Sequence, residues 1–172
     1  MGLLGLDIGT SACKASVFAT DGRLAAFASR TYATERGEGG EALVDSRQVD
    51  AAIRAVIAEA AAAARETAGG TVTAISAGSM GEAFVPLSRS GQILDRSILS
   101  VDRRGGEYLD LFSGIQPADL YRITPNIPGA CYSFPKLRWV KDHQRELYDA
   151  TWKFLFWADY AVFLLTGEAV AS

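Results

Sequence analysis

Short apolar runs separated by turn residues open the chain, a pattern that predicts strands joined by tight turns. The run Leu3 to Leu6 ends at Asp7. Cys13 to Phe18 predicts a second strand, and Leu24 to Ala28 predicts a third. Asp21-Gly22, between the last two, is a strong hairpin-turn dipeptide. The first part of the chain is therefore expected to be β-structure.

One long amphipathic helix is predicted next. Asp45 or Ser46 is its expected N-cap, with Gln48 reaching back. Gly69-Gly70 is expected to end it. Its apolar residues share one face at helical spacing: Val49, Ile53, Val56, Ile57, Ala60 and Ala64.

Strands are expected to dominate up to about Val101. Val72 to Ala77 alternates as a strand does, and Phe84 to Leu87 follows as another strand. Two segments rich in polar residues, Gly or Pro predict loops, namely Thr31 to Glu41 and Thr124 to Ser133.

Helices are expected in the last third of the chain. The pattern predicts one from Arg103 to Phe112, a short one from Pro117, and one from Pro135 to Gln144. A strand and a helix that ends at Gly167 should span Lys153 to Gly167. In the helix from Pro135, the residues expected to be buried are Leu137, Trp139 and Val140, and those expected to face outward are Lys136, Arg138 and Lys141.

Composition narrows the class of protein. The 172 residues are 49% hydrophobic and 22% charged, with a net charge of −3. This balance is typical of a soluble single domain and, without a block of Lys or Arg, argues against a nucleic-acid surface. We predict no membrane span, no export signal and a cytoplasmic location. The single histidine, His143, is expected to have a capping or surface role, and both cysteines are expected to be reduced.

The turn after the first strand has the residues of an anion site. The N–H groups of Gly9, Thr10 and Ser11 are expected to be free to point at an anion, and two hydroxyls and Lys14 can assist, so the turn suits a polyphosphate. Asp7, at the end of the first strand, could hold a hydrated Mg²⁺ against those phosphates. The alternative is a tight hairpin with a solvated acid.

The segment Leu6-Asp7-Ile8-Gly9-Thr10-Ser11 with Lys14, followed by Asp21-Gly22, resembles the first phosphate-binding segment of the sugar kinase, actin and Hsp70 superfamily. The pattern of residues 135–143, Pro-Lys-Leu-x-Trp-Val-x-x-His, and a later Thr166-Gly167 resemble the FGGY carbohydrate kinases of the xylulokinase and glycerol kinase type. The resemblance runs from Gly2 to about Gly167. It implies an RNase H-like α/β fold, a mixed sheet flanked by helices.

The same resemblance implies a function for the whole chain. Residues 1–172 would be the amino-terminal, sugar-binding domain of an ATP-dependent kinase that uses Mg²⁺ and phosphorylates a sugar or polyol hydroxyl. The family's catalytic base, in a Gly-Asp-x-x-Ala motif, is expected beyond Ser172. The adenosine pocket is expected in a carboxyl-terminal lobe that this chain lacks. We therefore predict no turnover by the chain alone, and leave open whether it forms a homodimer.

Two segments resemble the sugar-binding parts of the family. Glu82 lies where an acid binds substrate hydroxyls, and Met80 matches half of a Met-His pair, whereas Gly81 replaces a substrate-binding arginine. Fixed carboxylates suit a polyol because they reject analogues that lack the hydroxyl. The alternative for Glu82 is a solvated turn residue.

Asp102 and Arg104 resemble a Trp-x-Asp-x-Arg segment in which Ser100 replaces the tryptophan, so a wider pocket is expected. The alternative is that Asp102 caps a helix and the arginines are solvated. Tyr132, with Ser133, resembles a third segment that lines the substrate pocket.

The sequence is also compatible with two other functions. The chain could be a sugar-binding or interaction module without catalysis. It could also be an actin- or chaperone-like ATPase, but the segments at residues 135–140 and 166–167 resemble the sugar kinases specifically.

Overall fold

A four-stranded sheet with one long helix against it forms the centre of the fold in the computed structural model, which describes residues 1–67 and 69–170. The strands are β1 (Gly2–Ile8), β2 (Ala12–Ala19), β3 (Leu24–Thr31) and β6 (Val72–Ser79), in the order β3-β2-β1-β6. β1 pairs with β2 antiparallel and with β6 parallel, so the sheet is mixed as predicted.

The main core lies between this sheet and α1 (Ser46–Arg65). Burial alternates strictly along β1, so every second side chain faces the core. The face predicted for α1 is confirmed, with Ile57 only partly buried. Its fully or nearly fully buried apolar residues are Val49, Ala52, Ile53, Val56, Ala60 and Ala64.

The predicted N-cap is confirmed, since the Asp45 carboxylate accepts a hydrogen bond of 2.9 Å from the Arg47 N–H. The helix ends earlier than Gly69-Gly70. Its last turn tightens at Glu66 and Thr67, whose N–H groups donate to carbonyls three residues back.

Shorter elements complete the fold. β4, β5 and β8 form one small sheet, and β7 and β9 form another. The bounds of these and of the remaining helices are β4 (Thr34–Arg36), β5 (Ala42–Val44), β7 (Phe84–Leu87), β8 (Ser97–Ile98), a 3₁₀ helix (Gly106–Phe112), α2 (Pro117–Ile123), α3 (Ser133–His143), α4 (Arg145–Ala150), β9 (Lys153–Phe156) and α5 (Trp157–Thr166).

The predicted loop from Thr31 to Glu41 is wrong in part. β3 continues to Thr31, and β4 pairs with β5 across a turn in which Gly40 has a φ of 90°. The polar side chains of β4 carry no alternating apolar signal, so only the pairing partner reveals the strand.

Two helix predictions also need correction. The segment predicted as a helix from Arg103 is a 3₁₀ helix that starts only at Gly106. Gly105 is left-handed, and a Cβ there would lie 2.5 Å from the Pro135 carbonyl oxygen, so this turn packs on the start of α3. α3 itself begins at Ser133, and α4 follows it without having been predicted.

The final strand–helix unit is confirmed, with Gly167 in the left-handed conformation after α5. The last two residues of the predicted domain, 171 and 172, lie outside the described residues. In the described part of the chain, no helix has the length and hydropathy needed to cross a membrane.

The buried thiol of Cys13 makes the stability of the fold depend on pH. Its side chain is fully buried on β2. Burial, and then the charge of Asp7, raise the pKa of the thiol from 9.0 to about 11. Because the folded-state pKa lies above the unfolded-state value, the thiol's contribution is complete below pH 9.0 and is lost as the pH rises toward 11.

We therefore expect a comparison with Cys13→Ala to isolate this contribution. Between those two pH values, the free energy of unfolding of the native chain should fall by up to about 2 kcal/mol relative to the variant. Urea unfolding measured across this pH range tests it. Cys131→Ala, which removes an exposed thiol, is the control and should follow the native curve. A constant difference between native chain and Cys13→Ala would contradict the prediction.

Candidate functional site

The turn between β1 and β2 closes on itself through one hydrogen bond. The Gly9 N–H donates to the Ala12 carbonyl oxygen at 2.9 Å. The expectation that this N–H is free for an anion is therefore wrong. Among the described hydrogen bonds, none is donated by the N–H of Thr10 or Ser11, which leaves two backbone donors at the tip of the turn.

The segment after β3 holds the turn from one side. The Tyr32 hydroxyl donates to the Gly9 carbonyl at 2.5 Å, and the Thr34 hydroxyl donates to the Thr10 carbonyl at 3.2 Å. In a trans peptide the C=O of one residue and the N–H of the next point in opposite directions. The N–H groups of Thr10 and Ser11 therefore point away from this segment, the orientation that an anion site requires.

Asp7 and Lys14 face each other across β1 and β2 on the sheet surface opposite α1. They are register partners, their charged atoms are 3.6 Å apart, and their side chains are 61% and 49% exposed. An open cleft of about 410 Å³ runs along this surface, and both residues line it. A carboxylate and an ammonium beside a turn with free N–H donors suit a metal–polyphosphate group.

The charged groups near this turn suit Mg²⁺ only if phosphate oxygens and water complete its coordination. Within residues 1–67 and 69–170, no group of three or more His, Cys, Asp or Glu side chains could surround a metal ion. Mg²⁺ commonly keeps several waters and binds through one or two carboxylates together with phosphates. Asp7 fits that role, and an all-protein metal cage does not.

The end of β6 brings a second predicted segment to the same place. The Met80 N–H donates to the Ile8 carbonyl at 2.7 Å, so residues 80–82 start beside the end of β1. The Met80 side chain is buried in the main core. It therefore offers a ligand much less surface than Glu82, two residues later.

Glu82 is a non-glycine residue in the left-handed region, with a φ of 61°. Such strained positions occur preferentially at functional sites and need support from their surroundings. Here the carboxylate accepts a hydrogen bond of 2.6 Å from the Ser133 N–H, at the start of α3. Glu82 is thus partnered rather than a freely solvated turn residue, and it joins the β6–β7 turn to the segment that holds Tyr132.

Asp102 and Arg104 form a buried ion pair. The Asp102 side chain is 0% exposed and that of Arg104 is 17% exposed, with 2.6 Å between Oδ2 and Nη2. The carboxylate also accepts from the N–H groups of Arg104 and Ala42. The Arg104 guanidinium lies 4.7 Å from the centre of the Trp139 ring. Asp102 does accept from the N–H of the turn after it, as in the capping alternative, but Arg104 is not solvated.

This network sets the pKa of Asp102. Burial by itself raises the pKa, but the hydrogen bonds from Arg104 and from the Ala42 N–H outweigh it, and the pKa lies below its usual 3.8. The carboxylate is therefore charged and fully engaged. A sugar hydroxyl that binds here would have to share its oxygens with these partners.

Lys136 is the clearest departure from the sequence prediction. It was expected to face outward, but it is fully buried at the start of α3. Its ammonium donates to the carbonyls of Ala130, Ser100 and Tyr132. Burial lowers its pKa, while the negative charges of Asp102 and Glu82 oppose that change. Lys136 lies in the first turn of α3, but helical periodicity does not show that the loops carrying Ser100 and Ala130 cover it.

The predicted site residues do not all line one pocket. Tyr132 lines an apolar pocket of about 170 Å³ together with Phe112 and Phe134. Arg104 lines a larger cleft of about 470 Å³ between the two small sheets and α3–α4. The structure thus forms two neighbouring groups, one at Asp7 and Lys14 and one at Glu82, Asp102 and Lys136.

Two residues of this region were missed by sequence reasoning. Tyr32 lies in a segment that the sequence predicts to be a loop, and nothing in its local pattern marks it as a support for the turn. For Lys136 the helical pattern predicts a surface position. A lysine in the pattern Pro-Lys-Leu-x-Trp-Val was the only available signal.

We expect Asp102→Asn to destabilise the protein strongly. It removes the buried carboxylate and leaves Arg104 without a counter-charge, at a cost of about 3 kcal/mol in the free energy of unfolding. Asp149→Asn is the matched control, because Asp149 pairs with Arg145 on the surface, and it should cost less than about 0.5 kcal/mol. Urea unfolding compares the two variants, and equal costs would contradict the role given to the buried pair.

Comparison with known proteins gives a consistent result. The chain is 26% identical over 167 residues to the xylulose kinase of Staphylococcus xylosus, an alignment that covers 96% of this chain and 34% of that protein. The chain therefore spans about a third of the length of the curated relatives it matches.

Solved structures agree with the predicted fold. A xylulose kinase from Rhodospirillum rubrum has a TM-score of 0.84 at 28% identity, covering 100% of this chain and 36% of that chain. A "xyloylose kinase" from Brucella ovis has a TM-score of 0.86 at 26% identity, covering 98% and 34%. The predicted RNase H-like fold of the sugar kinases is confirmed. The model of the N-terminal domain of the FGGY family of carbohydrate kinases matches residues 2–172, and the chain belongs to that family.

Proposed function

We propose that residues 1–172 form the phosphate- and sugar-binding domain of an ATP-dependent kinase that phosphorylates a hydroxyl of a sugar or polyol. One observation carries the proposal. The 2.7 Å hydrogen bond from the Met80 N–H to the Ile8 carbonyl brings two turns together at the same end of the β1–β6 pair. One is the turn of Gly9, Thr10 and Ser11, proposed here to bind phosphate, and the other is the turn that contains Glu82. Phosphates held at Thr10 and Ser11 would then lie beside hydroxyls held near Glu82.

The substrate class follows from the relatives. The similar proteins named above are xylulose kinases, and another relative is an L-xylulose/3-keto-L-gulonate kinase of Escherichia coli, 29% identical over 166 residues. We infer a substrate of the pentulose or polyol class. Ser100, where the family has a tryptophan by resemblance, favours a wider pocket.

The residues of this chain would divide the work of phosphoryl transfer, which depends on positioning and charge neutralisation. The N–H groups of Thr10 and Ser11, with Lys14, would bind phosphate oxygens. Asp7 would hold Mg²⁺, which neutralises phosphate charge when bound. Glu82, supported by Ser133, would orient the sugar.

The remaining functions would come from a second lobe. A base must accept the proton of the sugar hydroxyl, and by family resemblance it is an aspartate outside these 172 residues. The adenosine pocket would also lie in a carboxyl-terminal lobe. Closure of that lobe on this domain would exclude water, which competes with the sugar as acceptor.

We expect the purified 172-residue chain to show no ATP turnover with pentuloses, pentoses or polyols, because the proposal assigns the base to a second lobe. An ATP-consumption assay tests this directly. Robust activity would contradict the assignment of the base to another lobe. A different outcome would favour the alternative function. If the protein has no second lobe and this chain binds sugar independently of ATP, it is a non-catalytic sugar-binding or interaction module.

In a kinase that contains this chain with its carboxyl-terminal lobe, we expect Asp7→Asn to lower kcat by at least about 100-fold, with the sugar KM changed less than about threefold. The reason is that Asp7 acts on the phosphate side. Asp21→Asn, in the exposed hairpin turn, is the control and should leave both constants unchanged. Equal losses in kcat and sugar affinity would point to a folding defect.

In the same kinase, Glu82→Ala should raise the sugar KM by about 10- to 100-fold, because bound hydroxyls lose a fixed acceptor. Glu82→Gln keeps the shape but not the charge and should give a smaller effect. Glu107→Ala removes an exposed acid on the 3₁₀ helix and serves as the control. An unchanged sugar KM in Glu82→Ala removes this residue from the site.

A further inference from the structure

Lys136 is buried in a way that is unusual for a lysine. Its side chain is 0% exposed. Lysine is almost never fully buried unless its charge is satisfied. Yet among residues 1–67 and 69–170 no carboxylate lies within 4.0 Å of its ammonium, and the ion pairs described for the chain do not include it. Something other than a salt bridge keeps this charge in the interior.

Three backbone carbonyls satisfy the ammonium. They belong to Ala130, Ser100 and Tyr132, and the last two lie 3.4 Å from Nζ. A lysine ammonium has three donors and no acceptor, so the number of partners matches the number of protons. Hydrogen bonds from a charged donor are the stronger kind, and they compensate for lost hydration.

The three carbonyls come from two separate loops. Ser100 lies two residues before Asp102, whereas Ala130 and Tyr132 belong to the loop before α3. A third segment joins at the same point, because the Ser133 N–H donates to Glu82. All three predicted sugar-binding segments therefore meet at the first turn of α3.

The backbone packing at this junction leaves little room for the loops to shift. A Cβ on Gly105 would lie 2.5 Å from the carbonyl oxygen of Pro135 and 3.0 Å from the backbone nitrogen of Lys136. The turn after Asp102 thus touches the backbone that carries Lys136. The ammonium therefore lies close to the point where these segments contact the start of α3.

We propose that Lys136 is a positioning residue, whose ammonium holds the segments of Ser100–Arg104, Ala130–Ser133 and Glu82 in one fixed arrangement. The identity of what these segments bind rests on the function proposed above. Without the ammonium, the carbonyls of Ser100, Ala130 and Tyr132 would lose a charged hydrogen-bond donor, so the loop of Ala130–Ser133 would separate from the Ser100 segment. The Ser133 N–H would then leave the Glu82 carboxylate.

The test compares Lys136→Met with Lys141→Met in the 172-residue chain. Lys141 is on the same helix but exposed, so the same substitution there is a matched control. Amide hydrogen exchange resolved by residue should show the Ser133 N–H exchanging at least about tenfold faster in Lys136→Met, with the amides of β1 and β2 unchanged. In Lys141→Met every amide should keep its native exchange rate.

Two results would overturn the proposal. One is native exchange of Ser133 in Lys136→Met. The other is loss of protection throughout β1, β2 and α1, because Lys136 would then support folding in general rather than position these loops.

A second readout separates this proposal from the proposed function. Calorimetric titration with D-xylulose, L-xylulose and glycerol should show sugar binding weakened at least about tenfold in Lys136→Met and unchanged in Lys141→Met. If the native chain binds none of the three while Ser133 still loses protection in Lys136→Met, the positioning role stands and the sugar site is wrong. Native sugar affinity in Lys136→Met overturns the positioning role.

Discussion

β1 pairs with both β2 and β6, and these two pairings determine where the residues of the candidate site lie. Its antiparallel pairing with β2 sets Asp7 against Lys14, and its parallel pairing with β6 sets Ile8 against Ser79. Both pairings end at Ile8, the carboxyl end of β1. The turn after β1 and the turn after β6 must therefore emerge side by side. A shift of one residue in the β1–β2 register would put Asp7 and Lys14 on opposite faces of the sheet.

The alternation of side chains along β1 separates the candidate charged residues from the core. The buried face carries Leu4, Leu6 and Ile8, packed toward α1. The opposite face carries Asp7, with Lys14 on β2, and borders the open cleft with Phe18 and Phe27. One face of the sheet thus stabilises the domain, and the other presents charge beside exposed aromatic rings.

The second group of site residues is built differently. Glu82, Asp102 and Lys136 come from three distant parts of the sequence, and each is held by a hydrogen bond to another segment. The β1–β6 register places the turn that holds Glu82, but no strand register determines the positions of Asp102 and Lys136. A buried ion pair and a buried ammonium do so, and buried polar groups of this kind fix one arrangement because any other would leave them unsatisfied.

The strands of the main sheet, the face and N-cap of α1, the Asp21-Gly22 hairpin and the membership in the sugar kinases could all be predicted from the sequence. These follow from local periodicity, turn chemistry and contiguous motifs. Three features could not be predicted in this way: the Gly9 N–H closes the turn, β4 is a strand, and the Lys136 side chain is buried. Each depends on a contact between segments: Tyr32 supports the turn, β5 pairs with β4, and the Ser100 carbonyl from a distant loop accepts a hydrogen bond from Lys136. A helical period shows which residues share a face, but what covers that face is decided by the fold.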